Sequence, residues 1–341
     1  MGGDDLNRPY VSFAVVALDA REPLEDLLSD LAAQDYPSER IEALLVDSAS
    51  TDGTRALMEA FAREAPMRVR VLDNPKRWLA PGINVALDAA QGELFIRLDA
   101  HARIPRDFIS NNVCAIERGE DIVGGHVEGS PPKTPWQAVL TALDVSRFAG
   151  GAAPFRNAGR ARDVDTLAYA MYRRSVYDRV GRYDERLRRT EDNEMHYRMR
   201  QAGYRFRYCP RIVSYHAARA SLGGQLRQKW GNGLWIGRTM ALSPRCFSPR
   251  HFVPALFVLA LFAGTAMALC GLTPPLILLL CAYGAADVYF ALREAAAAPV
   301  GRALCLAALP LLFACVHVVY GVGTLLGMMT MYQIGRTQNG D

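Results

Sequence analysis

The order of apolar and polar positions divides the chain in two. Up to about residue 250, short apolar runs alternate with stretches of helical spacing. Val11 to Leu18 is apolar and rich in β-branched residues, as a buried strand requires. Leu24, Leu27, Leu28 and Leu31 then recur at helical spacing across Pro23 to Gln34. Ile41 to Val46 is a second strand, and Ser50 to Thr54 forms a turn and cap that opens a helix over Arg55 to Arg63. Val69 to Leu72 is a third strand, Pro81 to Ala90 a helix, and Leu94 to Leu98 a fourth strand. Strands alternating with helices predict an α/β domain whose mostly parallel sheet is covered on both faces.

Beyond His251 the pattern changes. Phe252 to Gly271, Leu276 to Leu292 and Ala303 to Met329 are nearly unbroken apolar segments. Each is near or above the roughly 18–20 residues that a spanning helix needs. Arg219, Arg227, Lys229, Arg238, Arg245 and Arg250 precede the first span without an acid among them, and Arg293 and Arg302 flank the second loop. Basic residues mark the cytoplasmic side, so the expected topology is span out, span back, short cytoplasmic loop, span out. Trp230 and Trp235, interleaved with the basic residues, fit a helix at the headgroup level. The expected organisation is a catalytic domain over 1–218, basic juxtamembrane helices over 219–250, three transmembrane helices over 251–329 and a tail over 330–341.

Composition adds exclusions. A net charge of +4 over 341 residues argues against a dedicated nucleic-acid binder. The seven cysteines are odd in number and form no Cys-x-x-Cys pair. Cys270, Cys281, Cys305 and Cys315 lie in apolar segments, where cysteine behaves as a small hydrophobe, so a disulfide framework is not expected. Met1 to Arg8 is polar, without a signal-peptide core. The catalytic part is therefore expected to stay in the cytoplasm, anchored as a multi-pass protein.

Ligands of such sheets bind beyond the carboxyl ends of the strands, and Asp19, Asp47 and Asp99 each follow a predicted strand. Asp99 and His101 are spaced i, i+2, so in extended backbone both side chains point the same way. A carboxylate and an imidazole can there converge on one divalent ion, Mn²⁺ at least as well as Mg²⁺, with diphosphate oxygens completing its shell; alone, the pair also fits a capped loop. Asp47 to Thr54 combines an acid able to accept from a uracil-type imide N–H with small residues that admit a base. Asp192 stands just before a predicted helix over Asn193 to Ala202, where it either acts as a general base or complements the helix dipole. His216 and Gln225 to Trp230 fall between the domain and the membrane, where they can reach a diphosphate; alone, His216 reads as a structural histidine. Gly129 to Asp163 reads as a loop, either an acceptor loop that closes on substrate or a plain surface loop.

Taken in order, these stretches resemble glycosyltransferase family 2, whose fold is GT-A, a Rossmann-like arrangement. The resemblance is nearest to bacterial exopolysaccharide enzymes of the succinoglycan type. It rests on Val11 to Glu22, Gln34 to Pro37, Val46 to Thr54, Gly82-Ile83-Asn84, Arg97 to Ala102, Asp165 to Tyr169, Val180 to Glu185, and Thr190 to Glu194. It covers about the first 240 residues. It implies that Ala17, Asp19 and Glu22 line the nucleotide pocket, and that Asp47 contacts the base with Gly82 and Asn84 nearby. It further implies that Asp99 and His101 hold metal and diphosphate, that His216 joins the metal, that Arg227, Lys229 and Trp230 assist with the nucleotide-sugar, and that Asp192 deprotonates the acceptor. Ser48 stands where the family often has a second Asp, and His101 where a second Asp is usual. Gln225 to Trp230 departs from the Gln-x-x-Arg-Trp signature of processive synthases, which argues against a polymerase.

The expected activity is an inverting, metal-dependent hexosyl transfer from a UDP-sugar to a polyprenyl-diphosphate-linked saccharide. The expected setting is the cytoplasmic face of a bacterial inner membrane, with no nucleic-acid partner and room for self-association. Two rivals stay open: a polyprenyl-phosphate sugar synthase, and a non-catalytic membrane subunit that binds nucleotide-sugar. A transporter is disfavoured, because three spans without inverted repeats make a poor pathway.

Overall fold

A computed structural model describes residues 8–149, 153–156, 159–216 and 221–335. In chain order the elements are β1 (Val11–Ala17), α1 (Arg21–Ala32), β2 (Ile41–Asp47), α2 (Thr54–Glu64), β3 (Arg68–Asp73), α3 (Leu79–Ala89), β4 (Leu94–Asp99), β5 (Ala102–Arg103) and α4 (Phe108–Glu117). They continue as β6 (Ile122–Gly129), α5 (Pro135–Val145), β7 (Arg162–Val164), β8 (Met171–Arg173), α6 (Arg174–Val180), α7 (Glu191–Gln201) and β9 (Phe206–His216). The last four are α8 (Leu222–Thr239), α9 (Val253–Leu269), α10 (Pro274–Ala297) and α11 (Arg302–Met329).

The chain folds as two compact units, residues 1–128 with 154–217, and residues 129–153 with 218–341. The first unit carries one sheet in the order β3-β2-β1-β4-β8-β6-β9-β5, with β7 added on β9. The strands legible in the sequence form its parallel half, with β1 between β2 and β4 and β3 outside β2. Every residue of β2 is buried, as a central strand covered on both faces demands. Leu24, Leu27, Leu28 and Leu31 of α1 face the sheet, as their spacing predicts. The remaining strands join antiparallel, β8 against β4 and β6, and β5 and β7 against β9. The result is the mixed α/β sheet of a GT-A domain. Two cores flank it, one around Phe13, Leu31 and Ile109, the other around Ile83, Phe95 and Tyr177.

The second unit contains three helices long and apolar enough to cross a membrane, Pro249–Leu269, Pro274–Ala297 and Arg302–Met329. Against α11 lies α8, and glycines set the approach. An added Cβ at Gly233 or Gly237 would stand 2.2 or 2.3 Å from the carbonyl oxygens of Tyr320 or Thr324. One at Gly327 would meet the Leu234 carbonyl oxygen at 2.1 Å. Only glycine lets the two backbones lie this close, as in small-residue helix pairs within membranes.

The expected loop over 129–163 is instead partly regular. Thr134 caps α5 by accepting from the Gln137 backbone, and Pro135 opens it. Ala138, Val139, Ala142 and Leu143 then pack with Ala291, Leu309 and Phe313 in the core of the second unit. The surrounding prolines and glycines mask this helical spacing in the sequence. Gly150-Gly151, Arg219, the N-terminal Met1 to Asn7 and the tail from residue 336 lie outside the described residues.

Candidate active site

The loops after β1 and β2 are interlocked by their own polar groups. The Ser48 amide donates to the Ala17 carbonyl at 2.9 Å. Asp19 donates its backbone N–H to Ser50 Oγ at 3.0 Å, and its Oδ1 accepts from the Thr51 backbone at 2.7 Å. Asp47 is buried, and its Oδ1 accepts from the Ser50 amide at 3.2 Å. Ala17, Asp19 and Asp47 therefore share one wall beyond the parallel strands. Glu22 is exposed in the first turn of α1 beside that wall.

Gly82 and Asn84 lie on α3. A Cβ on Gly82 would stand 2.5 Å from Val16 Cγ1, so this glycine lets the helix rest on β1. Asn84 is buried and ties down the approach to α7. It donates from Nδ2 to the Tyr183 carbonyl at 3.0 Å and to Glu185 Oε1 at 3.1 Å, and accepts from the Tyr183 amide at 2.9 Å.

Asp99 ends β4. The Tyr169 hydroxyl bridges it to His216, 3.3 Å from Asp99 Oδ2 and 3.1 Å from His216 Nδ1. Ala102 pairs with His216 across β5 and β9, which brings the His101 and His216 rings to 4.8 Å between centroids. Burial pushes the Asp99 carboxyl up, but Arg97, His101 and His216 outweigh it and hold the group below the usual carboxylate range. Burial, and then the charge of Asp99, pushes the Tyr169 hydroxyl well up, so it stays a neutral donor. No three His, Cys, Asp or Glu side chains among the described residues enclose a metal ion on their own. Asp99, His101 and the neighbouring His216 offer one carboxylate and two imidazoles, a donor chemistry that suits a divalent ion.

Asp192 lies inside the first turn of α7 and not ahead of it, because the helix begins at Glu191, two residues before the expected Asn193. It reaches the Asp99 cluster through Arg97, whose Nη2 donates to Asp192 Oδ2 at 2.8 Å while Nη1 lies 3.6 Å from Asp99 Oδ1. Glu191 beside it is buried, and burial, then the charge of Asp192, pushes its carboxyl up. One turn on, His196 is enclosed between the Thr166 and Tyr172 hydroxyls, each at 2.8 Å, and burial lowers its pKa to about 4. A neutral imidazole thus pins α7 to the sheet.

Arg97, Tyr169 and His196 are contributors to which motif reading assigns no role. Arg97 carried a signal: a guanidinium inside the apolar run Leu94 to Leu98 must find a carboxylate. Arg227, Lys229 and Trp230 lie on α8, in the second unit. Lys229 is buried there, donating to the Ala149 carbonyl at 3.1 Å with Asp144 Oδ1 at 3.8 Å, while Arg227 and Trp230 are exposed.

Backbone strain marks the same place. Among the described residues, Asp19, Ala49, Arg77, Tyr169 and Thr190 are the non-glycine residues with positive φ, between 47° and 68°. The first three follow β1, β2 and β3, Tyr169 precedes β8, and Thr190 caps α7. Each costs of order 1 kcal/mol or more, and such outliers collect where a site demands them.

Residues 12–181 match the family model of glycosyl transferase family 2. The succinoglycan biosynthesis protein ExoA of Rhizobium meliloti is 30% identical over 236 residues, 68% of this chain and 71% of that protein. The glycosyltransferase AglE of Haloferax volcanii is 23% identical over 212 residues, 62% of this chain and 68% of that protein. Among solved structures, the mannosyltransferase PcManGT from Pyrobaculum calidifontis, in complex with GDP-Man and Mn²⁺, superposes with a TM-score of 0.58 at 23% identity, covering 94% of this chain and 88% of that one. The chain belongs to glycosyltransferase family 2.

Proposed function

We propose that the chain transfers glucose or a related hexose from a UDP-sugar to a polyprenyl-diphosphate-linked saccharide, with inversion and with Mn²⁺ or Mg²⁺. The observation that carries this reading is the Asp99, Arg97, Asp192 chain of contacts, which joins a metal-type carboxylate to a base-type carboxylate at the carboxyl edge of the parallel strands. Asp47 and Asp19 support a nucleotide on the adjacent wall. The GDP-Man and Mn²⁺ held by the Pyrobaculum mannosyltransferase support a nucleotide-sugar and a divalent ion in this fold.

In this mechanism Asp192 takes the proton of the acceptor hydroxyl as its oxygen attacks the anomeric carbon. The new C–O bond forms as the bond to the donor phosphate breaks, and the nucleoside diphosphate leaves with the electron pair. When bound, the divalent ion neutralises charge on that leaving group. Asp99 and His101 would hold it, with His216 oriented by Tyr169. Displacement from the opposite face turns an α-linked donor into a β-linked product.

The likeness to a succinoglycan biosynthesis protein supports a role in cell-surface polysaccharide assembly. The three apolar helices support a lipid-borne acceptor and a bacterial inner-membrane location, with the catalytic unit facing the cytoplasm. The test is to incubate the full chain with a panel of UDP- and GDP-hexoses, Mn²⁺ or Mg²⁺ and a membrane-lipid extract, and to weigh the products. A lipid-linked saccharide heavier by one hexose is expected. Equal transfer to soluble sugars would overturn the lipid acceptor. Absence of any metal-dependent consumption of nucleotide-sugar would restore the non-catalytic subunit.

A further inference from the structure

We propose that Arg97 is a positioning residue that holds the base Asp192 in register with the donor carboxylate Asp99. The inference deepens the reading above and rests on its assignment of Asp192 as the base.

Arg97 and Asp99 are two residues apart on β4, so their side chains leave the same face of the strand. From there the guanidinium reaches Asp192 Oδ2 at 2.8 Å, a contact that spans 95 residues of sequence. Arg97 is only 8% exposed, and its Nη1 makes no hydrogen bond. A buried guanidinium with a spare donor is costly to keep. Burial works against its charge, and the carboxylates of Asp192 and Asp99 outweigh that. A structural role alone would be met by one well-satisfied pair. Instead the charge is divided unequally: one nitrogen grips Asp192, and the other stands off Asp99 at 3.6 Å without bonding it.

That asymmetry suits the reaction. Asp99, whose Oδ2 already accepts from Tyr169, needs Oδ1 left open to a metal ion, whereas Asp192 needs one oxygen fixed so that Oδ1 meets the acceptor hydroxyl in one orientation. Two carboxylates close to a diphosphate would otherwise repel each other, and the base, at the start of a helix, would be free to rotate away. One planar, permanently charged fork can serve both partners; a lysine ammonium, a point charge, cannot match that geometry.

The experiment uses the full-length chain in detergent, with the nucleotide-sugar from a UDP- and GDP-hexose panel on which the unaltered chain is most active. Arg97→Met, Arg97→Lys, Asp192→Asn and the double variant Arg97→Met/Asp192→Asn are compared for kcat, donor KM and binding of the corresponding nucleoside diphosphate with Mn²⁺. Arg97→Met is expected to lower kcat by about 100-fold while donor KM and nucleoside diphosphate binding move by less than about threefold. Arg97→Lys is expected to recover roughly tenfold of that loss. If Arg97 acts through the base, the double variant is no slower than Asp192→Asn alone. The proposal is overturned if the double variant loses the product of the two single effects, or if Arg97→Met raises donor KM and spares kcat. Should Arg97→Met fail to fold, the split between kcat and KM in Arg97→Lys decides by the same criterion. Normal turnover by Asp192→Asn would overturn the base assignment itself, a result distinct from failure of the coupling.

Discussion

Asn84 ties α3 to the segment that leads into α7. The resemblance places it near the base, but its amide is engaged with the segment before α7: two bonds to the Tyr183 backbone and one to Glu185. Asn84→Ala removes all three. Tyr183 is 4% exposed, so its amide and carbonyl are left without water to replace the lost partner. Each of the two stranded backbone groups costs about 1–3 kcal/mol, partly relieved by relaxation. We therefore expect a net loss of about 2–4 kcal/mol. At roughly 2–4 °C per kcal/mol for a domain near 200 residues, the unfolding midpoint of the catalytic unit should fall by about 4–16 °C. Intrinsic tryptophan fluorescence during a thermal ramp of the full chain reads this, alongside the affinity for UDP and Mn²⁺ below the transition. UDP affinity is expected to change by less than about threefold. A midpoint within 2 °C of the unaltered chain, combined with a tenfold loss of UDP affinity, would refute the reasoning and return Asn84 to the nucleotide pocket.

Two further outcomes follow from the same structure. His196 is neutral when folded, with its pKa lowered to about 4 from 6.5, whereas the unfolded chain protonates it earlier. Its contribution is complete above pH 6.5 and is lost as pH falls towards about 4, a loss of about 3 kcal/mol. The unfolding midpoint of His196→Gln should therefore show a flatter acid limb across that window; parallel curves for the two chains would contradict it. Gly237→Leu would drive a side chain into the α11 backbone, where even a Cβ stands 2.3 Å from the Thr324 oxygen. It is expected to cut the yield of folded, detergent-soluble protein several-fold while Gly284→Leu, at a glycine with open space around it, does not.

Much of this was legible in the sequence because local rules and global fold agree there. The parallel half of the sheet follows from apolar runs that must be covered on both faces, and Asp47 and Asp99 stand at strand ends for the same reason. The antiparallel half was not legible. β7 and β8 have three residues each, too short for a periodic signal, and the partners of β9 lie up to 114 residues away at Ala102. His216 therefore reads as structural in isolation, and only the β5–β9 register brings it beside His101. The sequence of α5 reads as loop because the prolines and glycines around it outweigh its apolar positions. Arg97 was visible as a charge inside a strand, but its partner on α7 belongs to tertiary structure.

In the proposed mechanism one cluster both holds the donor and deprotonates the acceptor, with the two tasks divided between Asp99 and Asp192. The most direct measurement is single-turnover transfer by Asp192→Asn, with nucleoside diphosphate and Mn²⁺ binding measured on the same preparation. The account predicts binding within about twofold of the unaltered chain and transfer slowed by about 10²–10⁴-fold. Transfer at an undiminished rate would contradict it, and would favour an acceptor that needs no base, such as a lipid phosphate.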